Sequence, residues 1–532
     1  MGIYLNPGNT SFRELVNYEY VDKSGLTAVV NRTIDTPNRL SCVSRPRRFG
    51  KSVALQMLAA YYDRTCDSSP LFDNLELAKD PTYREHLNRY NVILLDMAAM
   101  SYFARGYDKL PQYLFRQVAA ELREQLPAIQ VSEGADVGNF CKTLHNAVEL
   151  SGAKFVMLID EWDAPIREAK SDTGARDYLE FLRSLFKNSG MTEQIFAAAY
   201  MTGILPVRRY GTQSALSNFV EYTILEPEAF APYVGFLEPE VQALCEKHGL
   251  PFSEMKRWYD GYSLPGGLEV YNPNSVMQTV RSRNFRSYWS QTSAADVLID
   301  YISMDFDGLS KTVAGLLAGI EAPVDTVDFR NDLRVYSSRD DILTALTHLG
   351  YLTYNSERGT VRIPNEEIRD EFARAVHKVR HPDTIRRVKE SEQLFLDTAM
   401  GNAEKVAAQI EKVHEEECSP LHYNREASLR SVVKLAYYTY KDNYLQFEEL
   451  PAGAGYADIL YLPKKYSDWP ALLIELKWNR GAEGAIAQVK ARNYPQALKG
   501  YGGPLVLAGI SYDKEAPPGQ RHHTCVIETV EL

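Results

Sequence analysis

The first half of the chain alternates short apolar runs with helical patterns, and this alternation restricts the fold more than any other feature. Four apolar runs are predicted to be buried strands, over residues 39–43, 91–96, 155–160 and 195–202. Strands separated by helices predict a parallel sheet in an α/β domain, because parallel neighbours need a crossover connection. Ligands of such sheets bind beyond the carboxyl ends of the strands. We therefore expect functional residues directly after these runs.

The first run is followed by a loop and an amphipathic helix that fit a phosphate-binding motif. Gly50, Lys51 and Ser52 match the end of the pattern GxxxxGKS. In this motif, backbone N–H groups hold phosphate, the Lys contacts the β- and γ-phosphates, and the Ser hydroxyl binds Mg²⁺. The predicted nucleotide-binding residues of this segment are Arg47, Arg48, Phe49, Gly50, Lys51, Ser52 and Val53.

The loop departs from the general pattern at its first position, where Arg45 replaces glycine. Together with Arg47 and Arg48, this residue makes the loop basic, which favours charge-assisted contacts to phosphate. The alternative interpretation is a chance GKS sequence at a strand-to-helix turn.

The third and fourth apolar runs end in polar residues that suit nucleotide hydrolysis. Asp160 is predicted to hold Mg²⁺ through water, as in a Walker B strand, and Glu161 to orient or deprotonate the attacking water. Two solvated carboxylates at a strand end are the alternative. Thr202 either senses the γ-phosphate or caps its strand. Arg208 and Arg209 either stabilise transition-state charge or form a surface pair.

The C-terminal region carries a second group of predicted catalytic residues. Asp458 lies on one predicted strand, and Glu475 and Lys477 share a face of the next, because strand residues two apart point the same way. Two carboxylates beside a Lys predict a site for Mg²⁺, or alternatively Mn²⁺, that activates water to attack a phosphodiester. Gln488 and Glu426 lie on flanking predicted helices and are further candidates. The alternative is an edge-strand ion pair between Glu475 and Lys477.

The composition restricts which partners the protein can bind and indicates its cellular compartment. Lys and Arg total 59 against 70 Asp and Glu, so the net charge of −11 argues against coating nucleic acid through bulk charge and leaves a local basic groove open. The six cysteines form no CxxC pair, which favours a reducing compartment. The sequence shows neither the basic segment followed by an apolar segment that is typical of a signal peptide nor an apolar run long enough to span a membrane. We expect a cytoplasmic protein without a membrane segment.

The chain length of 532 residues predicts several domains. We predict a P-loop domain over 1–231, a helical lid and winged-helix-like region over 232–381, a helical linker over 382–420 and an α/β domain over 421–532. The winged-helix-like order of helix, strand, turn and strand over 340–369 either binds DNA or packs against the ATPase core. Its few basic residues favour packing.

These residues together resemble a largely uncharacterised family of bacterial proteins that join an AAA-ATPase-like domain to a C-terminal PD-(D/E)XK nuclease domain. The resemblance covers nearly the whole chain. It depends on the segments RPRRFGKS, LIDEWDAPI, YVDKS, MTGILPV, QSALSNF, WYDGY, VYNPNSV, YWSQTS and IPNEEIR.

The resemblance implies a fold and site roles for both halves of the chain. It implies an AAA-like P-loop sheet followed by a restriction-endonuclease-like α/β domain, with a nuclease centre formed by Asp458, Glu475, Lys477 and Gln488. Such proteins often have Gly-Arg before the nuclease Asp, whereas Tyr456 follows Gly455 here. If that Arg binds phosphate, its replacement reduces the cleavage rate.

Two functions follow from these patterns. The first is an ATP-hydrolysing, Mg²⁺-dependent protein whose nucleotide state gates a nuclease that acts on DNA, with RNA as the alternative substrate. The sequence leaves open whether this protein forms a homo-oligomer. The second is a nucleotide-dependent switch or scaffold whose nuclease-like domain binds nucleic acid or a protein partner without cleaving.

Overall fold

The structure of the protein is a computed structural model. It describes residues 2–104, 109–132, 136–167, 172–187, 189–207, 216–289, 298–299, 301–302, 308–327, 329, 336, 338–378, 382–417, 426–440, 443–452, 455–464, 469–479, 481–491, 503–517 and 520–531. The chain divides into two compact units, the first formed by Met1–Tyr288 and Pro323–Asn365 and the second by Trp289–Ala322 and Glu366–Leu532. This division groups residues differently from the four predicted domains, which stay a prediction.

The elements are numbered in chain order. The strands are β1 (Leu40–Ser44), β2 (Asn91–Asp96), β3 (Phe155–Asp160), β4 (Phe196–Gly203), β5 (Val220–Tyr222), β6 (Phe236–Leu237), β7 (Tyr262–Leu264), β8 (Leu268–Tyr271), β9 (Ala322–Pro323), β10 (Thr353–Asn355), β11 (Thr360–Arg362), β12 (Tyr444–Ala452), β13 (Gly455–Pro463), β14 (Ala471–Trp478), β15 (Pro504–Tyr512) and β16 (His523–Glu531).

The helices are α1 (Thr10–Tyr18), α2 (Gly25–Asn31), α3 (Lys51–Tyr62), α4 (Ser69–Phe72), α5 (Tyr83–His86), α6 (Met97–Ala104), α7 (Leu110–Gln125), α8 (Val137–Ser151), α9 (Ala164–Arg167), α10 (Asp172–Phe186), α11 (Ser189–Ile195), α12 (Glu238–His248), α13 (Phe252–Tyr259), α14 (Pro273–Ser282), α15 (Leu309–Leu317), α16 (Arg339–Leu349), α17 (Glu366–Lys378), α18 (Pro382–Ala399), α19 (Ala403–Glu417), α20 (Glu426–Ala436) and α21 (Ala482–Ala491). Two 3-10 helices cover Glu76–Lys79 and Glu228–Tyr233.

The first unit is built on a five-stranded sheet with the order β2-β3-β4-β1-β5. All of its neighbouring strands pair in parallel, which confirms the predicted parallel α/β sheet. The second and third predicted strands have the predicted bounds, and the first and fourth are displaced by one residue. All residues of β1, β3 and β4 are buried, as expected for a parallel sheet covered on both faces.

Alternate residues of each strand enter two different hydrophobic cores. On β3, Met157 and Ile159 belong to the core that includes helices α7 and α8, whereas Val156 and Leu158 belong to the core that includes α2 and α3. The period of two along a strand explains this separation. The sheet is thereby fixed from both sides, and the carboxyl ends of β1, β3 and β4 form one edge.

The predicted lid region contains α12 to α14 and a small sheet with the order β6-β8-β7. Gly261, Gly266 and Gly267 interrupt the helices and strands of this region, and all three residues have positive φ. The predicted helix, strand, turn and strand that follow correspond to α16, β10 and β11, with the two strands antiparallel.

The second unit contains a five-stranded mixed sheet with the order β12-β13-β14-β15-β16. Strands β14 and β15 are parallel and the other neighbours are antiparallel. Helices α18 and α19 are separated by a break at Gly401, whose φ is +78°, and sequence reasoning missed this break. None of the helices in the described part of the chain has the length and hydrophobicity that a membrane-spanning helix needs.

Candidate functional site

The first candidate site begins in the loop between β1 and α3. Gly50 has φ +77° and open space around a Cβ position, so backbone conformation is the reason that this residue is glycine. Helix α3 begins at Lys51, and the N–H groups of its first turn have no acceptor inside the helix. The amino end of α3 therefore offers N–H donors for an anion, as the sequence predicts.

Lys51 is buried at the start of this helix, with 8% of its surface exposed. Its Nζ donates hydrogen bonds to the carbonyl oxygens of Arg45 at 3.2 Å and Pro46 at 2.9 Å. Burial lowers the pKa of Lys51 to about 8, while Asp160 and nearby carboxylates oppose this shift. The loop thus holds a poorly solvated cation, for which a phosphate group is a strong electrostatic partner.

Three predicted side chains meet at the carboxyl edge of the sheet. Ser52 donates from Oγ to Asp160 Oδ2 at 2.5 Å, and Thr202 donates from Oγ1 to Asp160 Oδ1 at 2.7 Å. Strand β4 lies between β1 and β3, which explains why Thr202 reaches the carboxylate. A hydroxyl and a carboxylate in contact beside a buried ammonium are a donor set that fits a Mg²⁺–nucleotide complex.

Glu161 follows directly in a left-handed conformation, with φ +47°. A positive φ is uncommon for a side chain of this type and marks a constrained turn. Burial raises the pKa of Glu161, and Arg167, 3.6 Å away across an ion pair, opposes the shift together with Lys51. The half-buried carboxylate of Glu161 follows Asp160 directly in the chain. Its raised pKa makes it a better proton acceptor than an ordinary glutamate.

Asp163 is a buried member of this region that sequence reasoning missed. Its Oδ2 accepts hydrogen bonds from Arg167 Nε at 3.0 Å and from the backbone N–H groups of Ile204 and Leu205 at 3.2 Å each. The carboxylate therefore joins the turn after β3 to the turn after β4. The sequence pattern that could have identified Asp163 was its position in the segment DEWDAP, two residues after Glu161.

The other loop residues are engaged elsewhere in the protein. Arg45 is 2% exposed, and its Nη1 donates to the carbonyl oxygen of Tyr233, while Arg48 Nη1 donates to that of Tyr288. Phe49 is buried edge-to-face against Tyr262. Arg47 is half-buried and Val53 is exposed. Arg208 and Arg209 lie outside the described residues.

The second candidate site lies on β13 and β14. The antiparallel pairing of Ile459 with Ile474 brings Asp458 and Glu475, one residue beyond this pair, to the same face. Glu475 is 2% exposed, and its Oε1 accepts hydrogen bonds from Lys477 Nζ at 3.0 Å and from Gln488 Nε2 at 2.9 Å. Four of the predicted residues are thus on adjacent elements, three of them in direct contact.

Asp458 has two partners that sequence reasoning missed. Its Oδ1 accepts from Arg430 Nη2 at 2.7 Å, and its Oδ2 accepts from the backbone N–H of Leu476 at 2.9 Å. Arg430 lies on α20, one turn after Glu426, which starts that helix. The spacing of one helical turn between Glu426 and Arg430 was the sequence pattern that could have identified Arg430. The side chain of Glu426 lies outside the described residues, so its predicted role stays a prediction.

The N-terminal part of the chain also matches a known family. Residues 7–212 match the AAA-ATPase-like family model, described as predicted AAA-ATPase. The match covers less than half of the chain, and it shows that this N-terminal region is similar to AAA-ATPase-like domains. The family match ends at residue 212, and the nuclease-like interpretation of the C-terminal region therefore stays a prediction.

One curated relative is an uncharacterised protein in the vnfD 5' region of Azotobacter chroococcum mcd 1. It is 27% identical over 296 residues, which cover 55% of this chain and 54% of the relative. The match thus spans about half the length of that relative.

Two solved structures have low similarity to the chain. Cdc6p from Pyrobaculum aerophilum has a TM-score of 0.27 and 9% identity, over 69% of this chain and 98% of that chain. The ORC2 protein of Aeropyrum pernix has a TM-score of 0.27 and 12% identity, over 68% of this chain and 98% of that chain. TM-scores this low support no conclusion about fold or function.

Proposed function

We propose that this protein is a Mg²⁺-dependent ATPase whose nucleotide state gates a metal-dependent nuclease that acts on DNA, with RNA as the alternative substrate. The observation that carries the proposal is that one chain has two separate acidic sites, each beside a lysine. Asp160 lies near Lys51 in the first site, and Glu475 contacts Lys477 in the second. The family match over residues 7–212 supports the ATPase part.

In the first site, each residue has a role that follows from its chemistry. Lys51 and the N–H groups of the first turn of α3 bind the phosphates, and Ser52 and Asp160 hold the magnesium ion. Glu161 accepts a proton from the attacking water, which its raised pKa favours. Thr202 fixes the orientation of Asp160 through its 2.7 Å hydrogen bond.

In the second site, Asp458 and Glu475 are metal ligands. A bound divalent ion supplies a Lewis acid and an activated water for phosphodiester hydrolysis. Lys477 stabilises developing negative charge, and Gln488 orients Glu475 through its 2.9 Å hydrogen bond. Arg430 supplies a guanidinium next to Asp458, a role that we assign to it because position 456 is a tyrosine.

A second candidate function is a nucleotide-dependent switch whose C-terminal domain binds nucleic acid or a protein without cleaving. The ion pairs of the second site favour it. Arg430 pairs with Asp458 at 2.7 Å and Lys477 with Glu475 at 3.0 Å, so cations of the chain itself compete with a metal ion for both carboxylates.

The deciding experiment measures ATP turnover and cleavage of labelled single- and double-stranded DNA and RNA, with Mg²⁺, Mn²⁺ or EDTA and with or without ATP. We expect Lys51→Ala to lose ATP binding and Asp458→Ala to lose cleavage. Lys477→Ala should retain the metal but cleave more slowly. Glu528→Gln removes a carboxylate of the same sheet that pairs with Lys490 outside the site, and should leave cleavage unchanged.

Each outcome separates the two functions. Cleavage that persists in EDTA or in Asp458→Ala would contradict the proposed nuclease centre. ATP turnover with nucleic-acid binding, but with no cleavage under any of these conditions, would favour the switch.

A further inference from the structure

A cluster of three metal-binding side chains lies in the second unit, apart from both sites above. Glu411 and His414 come from α19, and His523 is the first residue of β16. Each offers one ligand atom, and these atoms all lie within 4.8 Å of one another. Glu411 and His414 share a helix face because they are three residues apart. His523 is 1% exposed, so the cluster is anchored in the protein interior.

Hydrogen bonds fix the orientation of the carboxylate in this cluster. The backbone N–H groups of His522 and His523 donate to Glu411 Oε1 at 3.2 Å and Oε2 at 2.8 Å. His523 Nδ1 lies 2.6 Å from Glu411 Oε2. An ionised carboxylate only accepts, so Nδ1 carries the proton between these two atoms when no metal is bound. Metal binding displaces protons from its ligands, and an ion that replaces this proton can be held by His523 Nδ1 and Glu411 Oε2 together.

An aromatic ring packs against both histidines of the cluster. The ring of Tyr512 lies 5.4 Å from that of His414 and 5.0 Å from that of His523 and limits access of water.

The cluster is separate from the second candidate site. Tyr512 stacks on Trp478, with 4.6 Å between the ring centres. Trp478 follows Lys477 on β14, and consecutive strand residues point to opposite faces. The histidine cluster therefore lies on the face of the sheet opposite Glu475 and Lys477.

We propose that Glu411, His414 and His523 bind a divalent transition metal, Zn²⁺ before the others. Two imidazoles and one carboxylate are a ligand set that suits zinc and leaves a coordination position open, whereas Mg²⁺ and Ca²⁺ prefer oxygen ligands only. Since the ligands come from α19 and from the edge strand β16, the metal joins these two elements and stabilises the second unit.

The test is zinc titration of the chelator-treated full chain in competition with a chromophoric chelator. We expect about one tight zinc ion per chain. His414→Gln, chosen because His414 is only half-buried, should weaken binding at least about ten-fold. His522→Gln is the matched control: this neighbouring residue is outside the cluster, its ring bonded to the Asp513 carbonyl, and its replacement should leave the affinity unchanged.

Thermal melting with and without zinc provides a second measurement. Zinc should raise the melting temperature of the wild type and not that of His414→Gln. Three results would overturn the proposal: no stoichiometric zinc on the wild type, equal affinity of wild type and His414→Gln, or loss of the tight site in Asp458→Asn with Glu475→Gln. A melting temperature that falls in His414→Gln without any zinc effect on the wild type would show a structural contact only.

Discussion

The affinity for ATP should fall as the pH rises, because Lys51 is poorly solvated before the nucleotide binds. Its Nζ has two carbonyl partners at 2.9 and 3.2 Å, and only 8% of the residue is exposed. Burial lowers its pKa to about 8, against the usual 10.5. A triphosphate next to Nζ favours the ammonium form and raises this pKa again. ATP binding above the lowered pKa must therefore take up a proton.

The magnitude follows from the fraction of Lys51 that is charged. With a pKa of about 8, nearly all of the side chain is charged at about pH 7 and about one tenth at about pH 9. The dissociation constant for ATP should thus rise about ten-fold over this interval, equivalent to about 1.4 kcal/mol. The pH dependence of folding stability has the opposite sign. Because Lys51 binds more protons in the unfolded chain than in the folded chain between pH 8 and 10.5, the free energy of unfolding rises with pH over this range.

Isothermal titration calorimetry at both pH values, in buffers of different ionisation enthalpy, measures the affinity and the proton uptake together. Lys51→Arg is the matched control, because a guanidinium stays charged over the whole range. Its affinity should be lower but independent of pH. The reasoning is refuted if the wild-type affinity is constant between the two pH values, or if Lys51→Arg has the same slope as the wild type.

Three further predictions concern individual residues. Glu161→Gln should retain ATP binding and slow hydrolysis about 10²–10⁴-fold, measured as phosphate release; an unchanged rate would mean that another residue accepts the proton. Asp163→Ala should lower the free energy of unfolding by about 3–5 kcal/mol, because it removes the closer of the two carboxylates that pair with the nearly buried Arg167. Urea denaturation measures this loss of unfolding free energy. Asp163→Asn is the comparison variant: it retains an acceptor oxygen, so its unfolding free energy should fall by less. Gly509→Ala should lower the free energy of unfolding by about 1–3 kcal/mol and slow DNA cleavage. The added Cβ would lie 2.6 Å from the Ala482 carbonyl oxygen and displace α21, which carries Gln488. A melting temperature and a cleavage rate equal to those of the wild type would contradict this prediction.

Local patterns in the sequence determined the strands and the motifs of the first sheet. The runs ending at Asp96 and Asp160 have the predicted bounds, because a buried parallel strand is continuously apolar and ends where polar residues begin. Lys51 and Ser52 lie at the start of a helix as the GKS pattern predicts. The C-terminal strands carrying Asp458 and Glu475 also follow from local periodicity. By contrast, the break at Gly401 was missed, although glycine is a common helix terminator.

Contacts between distant segments were decided only by the tertiary structure. Thr202 reaches Asp160 because β4 lies between β1 and β3, and strand order leaves no trace in local periodicity. Arg430 meets Asp458 across 28 positions, and His523 meets Glu411 across 112. The sequence offers the side chains, but the packing of α20 and α19 against the sheet selects which of them meet. Burial has the same origin: the low pKa of Lys51 requires the surrounding loop and strands to exclude water, which no motif encodes.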